Sequence, residues 1–138
     1  MHSKKSQISV EYMMIIGFAT LITIPLVLIY HSFVQDSSDE IISTQVQQIA
    51  QKIAHTAESV YYLGEPSQAT LNINMPDMVV DVNLSAGYEI VFKIMTGSGT
   101  ADIVQGSSVN ITGSLPVNKS AYAITLVDKS GHVEASYK

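Results

Sequence analysis

Glu11 is the residue whose position most asks for a chemical explanation. It opens a stretch, Tyr12 to Gln35, that contains no Asp, Glu, Lys or Arg. A carboxylate at the edge of so apolar a run costs roughly 3 kcal/mol unless it stays at a polar interface or finds a partner. Two readings follow from charge alone: an interfacial Glu reaching towards headgroups, or a functional charge waiting for a counter-ion. Catalytic chemistry has less to work with. His2, His31, His55 and His132 show neither an H-E-x-x-H pattern nor any paired spacing that would build a metal site. Asp77, Asp81, Asp102 and Asp128 could supply oxygen ligands, but their spacing resembles no EF-hand. No G-x-S-x-G elbow is present, and Gly97-Ser98-Gly99 reads as a hairpin loop rather than a phosphate cradle. No cofactor, metal site or catalytic residue is expected, and the chain does not read as an enzyme.

The elements around Glu11 decide what it could do. The run from Tyr12 to Gln35 is long enough for a membrane span, which takes about 20 residues as a helix. Lys4 and Lys5 precede it and Asp36, Asp39 and Glu40 follow it, so the basic side belongs in the cytoplasm and the remainder outside. A cleaved secretory signal is the competing assignment. Its apolar core would be shorter, and residues 31–35 offer no A-x-A site. Within the run, Pro25 leaves the carbonyl of Leu21 without its helical donor and is expected to kink or loosen one turn, with the hydroxyls of Thr20 and Thr23 near enough to compensate.

Composition agrees with one greasy element joined to a polar one. The chain has 138 residues, 14% of them charged, a net charge of −5, no Cys and no Arg; its mean hydropathy is +0.24. Acidic balance without Arg argues against nucleic acid as a partner, and the absence of Cys excludes disulfides, thiolate metal sites and Cys nucleophiles.

The segment Lys4-Lys5-Ser6-Gln7-Ile8-Ser9-Val10-Glu11-Tyr12 resembles the class III signal peptide of archaeal type IV pilins, in which a short basic leader precedes a Gln-x-Ser-x-Glu-Tyr/Phe motif and a hydrophobic helix. The resemblance implies cleavage by a membrane prepilin peptidase between Ser6 and Gln7, with residues 1–6 lost as leader. It also implies that the new α-amino group on Gln7, one helical turn from Glu11, takes part in neutralising charge between neighbouring subunits. A half-made charge pair in an apolar bundle is expensive and a complete one is tolerable, which would make it a register device; cyclisation of Gln7 to pyroglutamate would remove it. On this reading Tyr12, Ile16, Phe18, Leu21, Leu26, Ile29 and Phe33 form the core of a helical homopolymer raised by a pilus assembly platform. The alternatives are a single-pass surface protein that binds a partner without polymerising, a minor pilin, or an archaellum-like subunit.

Past Phe33 the pattern becomes periodic. Ile42, Val46, Ile49, Ile53, Ala57 and Val60 recur at steps of three and four, an amphipathic stripe that needs a partner surface. One long helix is expected, with a break near Ser37-Ser38 as the alternative, and Gly64 followed by Pro66 should end it. Seven short β-rich runs follow, at 69–75, 78–84, 88–95, 100–104, 108–112, 122–127 and 132–137, divided by Gly, Pro, Asn and Ser. The expected fold is α+β: a long N-terminal transmembrane helix and a C-terminal antiparallel sheet or sandwich head packed on the helix's second half. The divisions are residues 1–6, leader; 7–35, hydrophobic assembly helix; 36–64, amphipathic extension; and 65–138, extracellular head. Asn83, Asn110 and Asn118 each begin an N-x-[ST] triplet and are N-glycosylation candidates if the head lies outside the cell. Pro116 and Lys119 mark Asn118 as the one in an exposed loop.

Overall fold

The structure, a computed structural model, describes residues 3–84 and 87–138, with side chains from residue 9 onward. One helix, α1 (Ser3–Leu63), is followed by seven strands: β1 (Gln68–Met75), β2 (Val79–Asn83), β3 (Glu89–Thr96), β4 (Gly99–Gly106), β5 (Ile111–Gly113), β6 (Ser120–Lys129) and β7 (His132–Tyr137). No break interrupts α1 at Ser37-Ser38, and it continues through Pro25. The Thr20 and Thr23 hydroxyls do not serve the carbonyl of Leu21; they bond back to the carbonyls of Ile16 and Ala19 at 2.8 and 2.7 Å, the ordinary i−4 habit of helical threonines. The helix stops where a glycine can take up positive φ: Gly64 sits at φ 75°, and the chain leaves through a cis Glu65–Pro66 bond.

Residues 1–37 and 38–138 form two compact units. In the second, the seven strands make two sheets, ordered β1-β6-β7-β5 and β2-β3-β4. The fold is α+β as expected, a long N-terminal helix and antiparallel-rich sheets packed on its second half; the one parallel ladder is the short β5 against β7. Period-2 patterning reports which face of a strand is buried and says nothing of its direction. Gly113 shows how tightly β5 is set: at φ 113°, a Cβ on it would lie 2.0 Å from the carbonyl oxygen of Ala135, so only glycine fits.

The inner faces of both sheets and the α1 stripe share one core. Val46, Ile53, Ala57 and Val60 are buried as the periodicity predicts, Ile42 and Ile49 pack at its rim, and Ala50 and Ala54 are buried beside them. Leu71, Ile73, Met75, Phe92, Ile94, Ile124 and Leu126 are among the residues the strands add to it. Val80 is a correction. Strict alternation places it inward with Val82 and Leu84, but the β2–β3 register shifts between Val79 and Asp81, and the extra residue turns Val80 out to 47% exposure.

Side chains on or just past α1 fasten the head loops. Asp39 Oδ2 accepts the Gly97 N–H at 2.9 Å, and Gln47 Nε2 donates to Gln105 Oε1 at 2.8 Å. Glu58 Oε1 accepts both the N–H and the hydroxyl of Ser108 at 2.9 and 2.8 Å, while Glu65 Oε1 does the same for Ser130 at 2.6 and 3.0 Å.

Candidate functional site: the uncovered half of the helix

Two halves of one helix meet opposite fates. Between residues 9 and 36 every side chain is exposed, although this stretch contains an 18-residue window of mean hydropathy 2.3. Tyr12, Ile16, Phe18, Leu21, Leu26, Ile29 and Phe33 are between 49% and 69% exposed, whereas Val46, Ile53 and Ala57 on the later turns are at 0%. Soluble monomers rarely leave so long an apolar surface in water. By length and composition the helix can cross a membrane, and none of its apolar window is buried against protein. It is compatible with membrane anchoring.

Glu11 lies exposed on this uncovered half. Ser6 and Gln7, and the leader lysines Lys4 and Lys5, belong to the backbone of α1, but their side chains lie outside the described residues, as do Met1 and His2. In the backbone of the continuous helix Gln7 and Glu11 are four positions, about one turn, apart.

The other sequence candidates do not converge. His31 is exposed, His55 stands 3.6 Å from Glu58, and His132 is half-buried on β7. Asp77 pairs with Lys119 at 3.6 Å, and Asp81 accepts the N–H of Val82. Asp128 is buried, with Oδ1 unpartnered. Among the described residues no three of His, Asp and Glu gather as a metal site. Of the glycosylation triplets, Asn118 and Lys119 are exposed before β6, although Pro116 beside them is buried. Asn83 is exposed at the end of β2, with Ser85 of its triplet outside the described residues. Asn110 is half-buried just before β5. Its Oδ1 is buried without a partner, and its carbonyl is engaged by the Val133 N–H at 2.8 Å.

Glu58 lies off the apolar stripe of the amphipathic helix, and nothing in its local sequence marks its role. The N–H of Ser108, then its hydroxyl, hold the Glu58 carboxyl below the ordinary value of 4.5. Ser130 does the same for Glu65, N–H first and hydroxyl second. No local signal could have paired residues 50 and 65 positions apart.

Comparison of the chain with protein-family models, with curated proteins and with solved structures finds no match to any of them.

Proposed function

We propose that the chain is the precursor of an archaeal type IV pilin-like subunit, held in the membrane by the apolar half of α1 and polymerised through it outside the cell. The observation that carries the reading is the contrast within α1: an apolar stretch from residue 9 to 36 whose side chains are all exposed, followed by turns that bury one apolar stripe in the core of the head. Such a surface has two homes, lipid or copies of itself. The Ser6/Gln7 boundary and Glu11 add the means of moving from one to the other: trimming the basic leader exposes an α-amino group on Gln7 that the Glu11 carboxylate of a neighbour can neutralise. Exchange of lipid for protein gains little transfer energy, since lipid tails are as apolar as Leu, so close packing and an external source of work must drive assembly. The head, with its polar strands turned outward, would coat the filament and carry adhesion.

Mass spectrometry of the chain recovered from its native cells tests this directly. A mature N-terminus at Gln7, free or as pyroglutamate, is the expected result, together with thin filaments in sheared surface material. A mature chain still carrying residues 1–6 would sink the proposal, and single dispersed subunits after trimming would favour a surface receptor instead.

A further inference from the structure

The two sheets end in β1, β5, β2 and β4, and three of these edge strands carry their own protection. β5 is three residues long, β2 is bulged between Val79 and Asp81, and β4 carries the exposed carboxylate of Asp102. Short length, bulges and charges each discourage another chain from pairing along an edge. β1 has none of these. Its eight residues, Gln68–Met75, pair with β6 without a register shift and include no charge, no Pro and no Gly, the composition of a segment prone to pair with its like.

The outer side of β1 is open. Asn72 faces Ala123, and Ala123 exchanges both backbone hydrogen bonds with Lys138 at 3.3 and 3.1 Å. The N–H and C=O of Asn72, and those of Thr70 and Asn74 at alternate positions, therefore point away from β6. An open groove of about 590 Å³ runs between this strand and α1. One side chain crosses it: Lys52 of α1 donates from Nζ to the Asn72 carbonyl at 3.3 Å. Among the described residues no other group bonds these outward N–H and C=O groups.

We infer that Lys52 guards the β1 edge, its ammonium holding the strand out of pairing with another copy of the chain. An arriving strand would have to take the Asn72 carbonyl from Lys52 and leave the ammonium beside it, out of water. Among the described residues no carboxylate lies within ion-pair distance of Lys52, so nothing in the chain would compensate the buried charge. The guard that β1 lacks in its own sequence is thus supplied by a different element. This does not depend on the polymer reading, because a surface protein that never polymerises needs the same protection.

Lys52→Met removes the ammonium and keeps the length of the side chain. Lys93→Met makes the same change of charge on β3, the central strand of its sheet, where Lys93 is also exposed. In the full-length chain dispersed in detergent, sedimentation should show Lys52→Met associating at a protein concentration roughly tenfold below the parent, with Lys93→Met following the parent. Amide exchange at Thr70, Asn72 and Asn74 should slow in the associated Lys52→Met chain. Adding Asn74→Lys, which gives β1 a charge of its own, should restore dispersion. Lys52→Met as dispersed as the parent, or associated with its β1 amides still exchanging freely, overturns the inference. So does equal association of Lys93→Met, or a failure of Asn74→Lys to reverse the effect.

Discussion

At the scale of residues, two carboxylates that hold loops of the head, Glu58 on α1 and Glu65 just past it, contribute to the molecule's response to acid. Glu58 and Glu65 both titrate below the ordinary value of 4.5 in the folded chain because Ser108 and Ser130 donate to their ionised forms. A depressed folded pKa means that the unfolded chain binds more protons in the acid range, so stability rises with pH there. Their contribution is complete above about 4.5 and is lost as pH falls through the lowered values. Acid titration of the detergent-dispersed chain, followed by near-ultraviolet circular dichroism of its tyrosines, should show stability declining below that point. The Glu58→Gln, Glu65→Gln double variant should be less stable at pH 7 and have a flatter acid limb. Neither residue stood out in the sequence, since a Glu on the polar face of an amphipathic helix and a Glu before a proline are both ordinary. The same blindness covers Gly113, which reads as a turn residue and is in fact required by the backbone of Ala135.

At the scale of elements, α1 is two helices in one by energetics. Its later turns depend on the head: Ile53 is at 0% exposure inside the shared core, and Ile53→Ala should destabilise the chain by about 2–5 kcal/mol. Leu21 is 69% exposed, and Leu21→Ala in the dispersed monomer should change stability by less than about 0.5 kcal/mol. Urea unfolding of both variants in detergent checks the contrast. The change from a wholly apolar stretch to a stripe of period three and four made this division legible in advance, as did the Gly64 and Pro66 stop. Strand positions were nearly as legible, because β-rich runs between turn residues need no partner to be recognised, but residues 108–110 of the run expected at 108–112 lie before β5 (Ile111–Gly113) and outside any strand. Their pairing was not. The parallel β5–β7 ladder and the bulge that turns Val80 outward follow from register between distant segments, which alternation along one strand does not encode.

At the scale of the whole molecule, the proposed assembly makes demands on surfaces that the monomer leaves bare. Phe18→Asp puts a charge into the uncovered apolar surface at a site 69% exposed, where the head's core is untouched. The head should keep its tyrosine circular dichroism while filament yield, scored by electron microscopy, falls by about tenfold or more, since a charge at the centre of an apolar bundle costs about 2.5–3.5 kcal/mol per subunit. Filaments of normal yield from that variant would remove the apolar helix from the assembly mechanism. The sequence by itself determined the membrane-length apolar run, the isolated Glu11, the continuous helix with its stop, and a β-rich head. Each of these is a local property, written in hydropathy, periodicity and turn chemistry. Tertiary structure alone decided which carboxylates fasten which loops, why Gly113 admits no side chain, that Asn110 is half-buried while Asn118 is exposed, and that the strands order as β1-β6-β7-β5 and β2-β3-β4. Those depend on contacts between residues far apart in the chain, where the free energy of packing and hydrogen bonding belongs to the pair and not to either segment.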